Sequence, residues 1–214
     1  MTYAELIQLV QDYTENSESS FVTNLPFLVQ QAEDRVYHNV RTPDQRKDVV
    51  TAQSSGDNEY VTPSDFIEPL YMATSLSSTP LLLKSPSLLQ SLFPSTSTPG
   101  TPIWYCIYQS YANGTTFIFI GPPPSSNCDI TLYYIGNPTS IVDEGSTWVS
   151  RQFPEVLLYG TLLEAQVYCK FTNEQIAMFQ ARFDAAMATL KSTCEGTQQE
   201  DENIESPLTT KVTG

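Results

Sequence analysis

A single histidine, His38, is the only side chain in the 214 residues whose ordinary pKa makes it a base near neutral pH. A Ser-His-Asp or Cys-His hydrolase needs such a base beside its nucleophile. His38 instead lies in the polar run Tyr37-His38-Asn39 at the end of a predicted helix, where a solvated or carbonyl-capping role is expected. Cysteine is equally sparse: Cys106, Cys128, Cys169 and Cys194 form no C-x-x-C pair, so the closely spaced ligand pairs of a zinc site are missing. No G-x-G-x-x-G or G-x-x-x-x-G-K-[ST] occurs, which removes the common phosphate cradles. No apolar run approaches the roughly 18 residues of a membrane span. The start MTYAELIQLV has no basic region of the kind that opens a secretory signal. The expectation is a soluble protein made in a cytoplasm, with its cysteines as free thiols. Bases are the last shortage. Ten Lys and Arg stand against 24 Asp and Glu, for a net charge of −14. A nucleic-acid groove must offer cations to phosphates, so that class is excluded as well.

What is present is a globular composition, 40% hydrophobic and 11% aromatic. The two ends read as helix and the middle as sheet. Thr2-Tyr3-Ala4-Glu5 has capping-box spacing, followed by a stripe of Leu6, Leu9, Val10 and Tyr13. Residues 16–20 break that helix. A second is predicted from about Asn24, with Pro26 in its first turn, and with Leu28, Ala32, Val36 and Val40 at spacing four. It ends before Pro43, which disfavours helical backbone at Thr42.

From about residue 47 to 135 the runs shorten and Ser, Thr, Pro and Gly punctuate them. DVVTAQ, EYVTP and FIEPLYMATSL read as strands, the last demoted by Pro69 to an edge strand or a bulge. TPLLLKS leads into a short helix at 87–93, and PSTSTPGTP is a loop. IWYCIYQSY and TTFIFIG flank Asn113-Gly114, a hairpin signal that outweighs the formal sequon Asn113-Gly114-Thr115. After a proline-rich link at 121–124, CDITLYYIG is expected as the third strand of a meander, which needs a partner layer over its apolar face.

Phe153-Pro154-Glu155 opens a helix with proline in the preferred first position. The run VLLYGTLLEAQVYC is apolar on nearly every side, so this helix should be central. Gly160 inside it costs about 1 kcal/mol against alanine, which close approach of a neighbouring backbone would offset. Thr172-Asn173-Glu174-Gln175 repeats the capping spacing and starts a last helix, whose seam is Ile176, Phe179, Phe183, Ala186 and Leu190. The pattern stops beyond Lys191. The remainder holds five acids, one lysine and isolated aliphatics, and reads as disordered when free.

Acidic pairs such as Asp143-Glu144 or Asp65 and Glu68 could in principle serve a glycosidase, but neighbouring acids are expected by chance among 24. Gly56-Asp57-Asn58-Glu59 lacks the spaced oxygens of an EF-hand. Arg35, Arg41, Arg46 and Lys47 are cancelled by Glu33, Asp34, Asp44 and Asp48, giving an ion-paired surface as the expectation. No catalytic, cofactor or metal residues are assigned, and the chain does not read as an enzyme.

FVTNLPFLVQQAEDRVYHNVR, YVTPSDFIEPL, and GPPPSSNCDITLYYIGNP followed by FPEVLLYGTLLEAQVYCKF occur in that order. Together they resemble the head-to-tail adaptor proteins of short-tailed bacteriophages, also called connector or tail tubular A-type proteins, over roughly residues 3–191. The resemblance matches Phe153, Pro154, Leu157, Leu158, Tyr159, Gly160 and Ala165 to the family's central helix, and Pro63, Asp65 and Phe66 to its strand-to-turn motif. It implies a structural virion protein at the head–tail interface, assembled in the host cytoplasm. Such a protein forms a homo-oligomeric, commonly dodecameric ring between the portal protein and the tail nozzle or tail tube protein. Tail fibres are a further candidate partner, and DNA passes through the ring without specific binding during genome ejection. No cofactor and no membrane partner are implied.

The expected fold is α+β. An antiparallel helical bundle (1–46 and 140–192) carries an inserted antiparallel β domain (47–139) and an extended acidic C-terminal arm (193–214). Leu157, Gly160, Ala165, Phe179 and Phe183 are assigned to bundle packing, and Ile204, Pro207 and Leu208 to an arm that contacts the portal. The rival reading is a stand-alone β-rich surface or receptor-binding module. Residues 1–20 carry four acids and no base, and 193–214 five acids and one base, so the termini hold −8 of the −14. A channel wall of that sign repels phosphate over a Debye length, about 8 Å at physiological salt.

Overall fold

A computed structural model describes residues 1–94, 98–109 and 115–204, with side chains through Glu195. In chain order the elements are α1 (Tyr3–Thr14), α2 (Ser19–Asn39), a 3₁₀ turn (Pro43–Gln45), β1 (Arg46–Gln53), β2 (Glu59–Val61), β3 (Phe66–Thr74), β4 (Leu82–Leu83), α3 (Pro86–Leu92), β5 (Trp104–Gln109), β6 (Thr116–Gly121), β7 (Cys128–Gly136), α4 (Ile141–Glu144), α5 (Trp148–Gln152), α6 (Pro154–Cys169) and α7 (Asn173–Ile204). The protein is α+β and divides into two compact units. One comprises Met1–Asp44 with Thr139–Gly214, the other Gln45–Pro138.

The first unit is helical. Thr2 Oγ1 accepts from the Glu5 amide, and the Thr2 amide donates to Glu5 Oε2 at 2.8 Å, which closes the capping box that starts α1. Only Leu6 and Val10 of its stripe are buried, while Leu9 and Tyr13 stay exposed. α2 begins at Ser19 rather than near Asn24, so Pro26 falls inside the helix instead of in its first turn. Phe21 and Leu25 explain the earlier start: both are fully buried and extend the stripe of Leu28, Ala32 and Val36 toward the N-terminus. Burying a side chain of that size contributes about 1.5–3 kcal/mol, enough to offset an interior proline. α6 is buried at every position from Val156 to Leu163 and packs against α1, α2, α5 and α7.

α7 also departs from the sequence pattern. It continues past Lys191 to Ile204, beyond the point where the apolar pattern of the sequence stops. Buried Met187, Leu190 and Cys194 prolong the seam at spacings of three and four. The Glu and Gln residues beyond Cys194 are good helix formers even though they bring no apolar stripe.

In the second unit β1-β7-β3 forms an antiparallel sheet, and β2-β6-β5-β4 a four-stranded sheet in which only the β4–β5 pairing is parallel. Pro69 lies on β3, an edge strand with a register shift between Pro69 and Tyr71, as its missing N–H requires. β5 and β6 pair as a hairpin, but Asn113-Gly114 lies outside the described residues. The meander does not form. β7 leaves the sheet of β5 and β6 and pairs between β1 and β3 instead. β2 already occupies the free edge of β6, and three consecutive prolines at 122–124, without amide donors, carry the chain across to the other sheet. Met72, Ile130 and Leu132 of one sheet and Tyr60, Tyr105, Ile118 and Ile120 of the other share a single apolar core.

Candidate interaction surfaces

The sequence-assigned packing residues meet in the helical unit. Leu157 and Ala165 are fully buried on α6, and Phe179 and Phe183 are nearly so on α7. Gly160 sits where α2, α6 and α7 come together: a Cβ there would lie 3.2 Å from the Ala32 Cβ and 3.2 Å from Phe183 Cε2. The close approach is thus made by side-chain atoms of two helices, not by a neighbouring backbone. Tyr159 accepts a 3.1 Å hydrogen bond from Arg182, whose guanidinium also lies 5.6 Å from the Tyr159 ring centroid. Of the assigned arm residues, Ile204 ends α7, whereas Pro207 and Leu208 fall outside the described residues.

Two members of the basic cluster pair with acids outside it. Arg35 pairs with Glu164 of α6 and lies 5.9 Å from the Phe183 ring centroid. Lys47 pairs with Asp65 at 2.7 Å and donates to the Asn137 carbonyl at 2.8 Å. Tyr134 donates to the other Asp65 oxygen at 3.1 Å. Burial raises the Asp65 carboxyl, but the Lys47 hydrogen bond and charge outweigh it and hold the group below its ordinary value. The Asp65 carbonyl accepts from Asn137, so this residue ties the start of β3 to β1 and to the end of β7. Gly136 leaves room beside it, because a Cβ there would fall 2.8 Å from Asp65 Oδ2.

Glu33 was assigned to the solvated face, and the structure buries it at 3% exposure. It accepts from Ser140 Oγ at 2.5 Å and from the Ile141 amide at 2.9 Å. Burial pushes its carboxyl above the ordinary range; these hydrogen bonds oppose the shift, and Asp34 and Asp143 add to it. The Ile141 N–H is one of the donors that the first turn of α4 cannot satisfy internally, so Glu33 caps α4 from α2. The sequence signal is the spacing: Glu33 follows Ala32 and lies beside the Val29–Val36 face of the apolar stripe.

Each unit carries a recess on its described surface. An apolar groove of about 560 Å³ lies between α1 and α6, lined by Met1, Glu5, Gln8, Leu9, Pro154, Glu155 and Leu158. In the β unit a recess of about 430 Å³ is lined by residues that include Glu59, Ser87, Cys106 and Tyr108, and the Tyr108 hydroxyl donates to Glu59 at 3.1 Å. Burial pushes up the Cys106 thiol, in keeping with its packing inside strand β5. Among the described residues no group of three or more His, Cys, Asp or Glu is gathered as a metal site. No described helix is long and apolar enough to cross a membrane.

Large apolar side chains are exposed at several places. Val167 is 79% exposed at the C-terminal end of α6, beside Tyr168 at 41%. Leu82 and Leu83 of edge strand β4 are also open, as are Leu88 and Leu92 of α3.

No curated protein matches the chain. A family model described as SU10 adaptor protein matches residues 1–211, essentially its whole length. A mixed α+β chain with exposed apolar faces and a helical core shared by both termini therefore belongs to the SU10 adaptor protein family, a family of phage structural adaptors.

Proposed function

We propose that the chain is the head-to-tail adaptor of a short-tailed phage. It assembles as a dodecameric ring between the portal and the tail nozzle or tail tube, and extends the DNA channel. The family match over residues 1–211 carries this reading. In it the helical unit acts as an antiparallel bundle, with Leu157, Gly160, Ala165, Phe179 and Phe183 as its packing centre. Residues 193–214 act as the arm, with Ile204, Pro207 and Leu208 engaging the portal. The inserted β unit faces the nozzle or neighbouring subunits. The role is structural, without catalysis or cofactor, and the protein reaches the virion by assembly in the host cytoplasm. DNA passes the ring without specific binding, which the charge of −14 favours.

The test is reconstitution with the portal. Mass photometry of the chain mixed with portal rings should give a discrete heavier species, and deletion of residues 193–214 should weaken its formation. A full-length chain that leaves the portal mass unchanged would overturn the adaptor position. It would favour the stand-alone surface or receptor-binding module instead.

A further inference from the structure

We propose that Tyr71 and Tyr133 form an oxidative cross-linking site, at which a one-electron oxidant joins the two phenol rings as dityrosine and fastens edge strand β3 to β7. The site stands on the geometry of the β unit alone and is independent of the adaptor reading.

Pro69 sets the pair up. Pro69 stands opposite Tyr134 and Tyr71 opposite Tyr133, so β3 slips by one residue and Leu70 becomes the extra residue of a bulge. Without that slip Leu70 would face Tyr133. The two tyrosine rings instead stack directly across the strands, with 4.2 Å between centroids and 16° between planes. Their hydroxyls are hydrogen-bonded to each other, so the rings point the same way and the carbons beside each hydroxyl overlie. Phenoxyl radicals couple at these carbons. Tyr134, Tyr108, Tyr159 and Tyr168 rest against phenylalanine rings, which cannot couple in this way.

The surroundings favour the reaction. Tyr71 is 41% exposed, which lets an oxidant reach the pair. Asp48 faces Tyr133 from β1 on the other side of β7, and a nearby anion eases removal of an electron from a ring. Burial first, then the Tyr133 hydroxyl and Asp48, hold the Tyr71 phenol above its ordinary value, so the electron leaves together with a proton. The Cys128 thiol, a competing reductant, lies on the buried face of β7 with Ile130 and Leu132.

Each phenol gives up one electron and its hydroxyl proton. A carbon–carbon bond forms between the two ring carbons beside the hydroxyls, and the hydrogen displaced from each carbon returns to its own oxygen. The pair thus loses two electrons and two protons. Hydrogen peroxide, turned over by a haem peroxidase, takes up both and becomes two waters. The bond closes the chain between β3 and β7 into a loop, which restricts the unfolded chain more than the folded one.

The experiment is oxidation of the full chain with hydrogen peroxide and a haem peroxidase, at several protein concentrations, followed by thiol reduction. The monomer should show dityrosine fluorescence and be lighter by two hydrogens. Reduction removes any disulfide but leaves this product. Trypsin should release residues 48–84 joined to 85–151, with the bond mapped to Tyr71 and Tyr133 by fragmentation. Tyr71→Phe and Tyr133→Phe keep the stacked rings and should each lose the joined peptide, whereas Tyr108→Phe should retain it. The cross-linked chain should also unfold at a higher temperature than the untreated one. A joined peptide that persists in Tyr71→Phe overturns the assignment. So does a wild-type chain that yields only products between chains, rising with concentration, or no dityrosine at all.

Discussion

Replacing Glu33 with alanine tests whether a buried carboxylate holds α4 on α2. The side chain accepts from Ser140 Oγ at 2.5 Å and from the Ile141 amide at 2.9 Å. Alanine leaves the buried Ile141 N–H without its acceptor, a loss of about 1–3 kcal/mol. Removing a carboxyl whose ionised form is penalised by burial returns part of this, for a net cost of about 1–2 kcal/mol. In a protein of this size that corresponds to a fall in Tm of about 2–8 °C. Glu33→Gln keeps an acceptor for Ile141 and should lose less. The sign of the pH dependence follows from the raised folded-state pKa. The protonated carboxyl is the form the fold favours, so its contribution is complete below the unfolded value and is lost as pH rises through the folded one. Thermal unfolding followed by circular dichroism at pH 4 and pH 7 should therefore show Glu33→Gln faring better against wild type at pH 7. An alanine variant as stable as wild type, or a glutamine difference that is largest at pH 4, would refute the reasoning.

Other substitutions probe each unit separately. Leu157→Ala empties a fully buried site at the centre of α6 and should cost about 2–5 kcal/mol in chemical denaturation. Gly160→Val places a branched side chain where a Cβ alone already meets Ala32 and Phe183 at 3.2 Å, and should destabilise by about 1–3 kcal/mol or more. In the β unit, Asp65→Asn removes the Lys47 pair and should cost about 1 kcal/mol at pH 7. Because the Asp65 carboxyl is held below its ordinary 3.8, that deficit should shrink as pH falls through and below this value. Gly136→Ala pushes on Asp65 Oδ2 at 2.8 Å and should mimic part of the same loss.

Local signals were read correctly where the physics is local. The Thr2–Glu5 capping box forms, Thr172 and Gln175 cap α7 reciprocally, and Pro154 opens α6. Pro69 falls on an edge strand with a bulge, because a missing amide is a property of one residue. The misreadings share the opposite character. Pro26 suggested a helix start, but burial of Phe21 and Leu25 against other helices decided the boundary. β7 was placed beside β6 by chain order, whereas strand partners are chosen over the whole sheet and β2 held that edge. Glu33 looked like one acid in a mixed-charge run, and only the meeting of α2 with the turn before α4, 107 residues away, shows it buried. The groove was invisible for the same reason, since its walls come from residues 1–9 and 154–158.

The central claim, a ring seated on the portal, is tested most directly by the mass of the complex formed from purified portal rings and this 23.9 kDa chain. The account predicts one species heavier than the portal by a dodecamer of the chain, formed only when both components are present or at a lower concentration than the chain alone requires. A chain that stays monomeric beside an unchanged portal at all concentrations would contradict it.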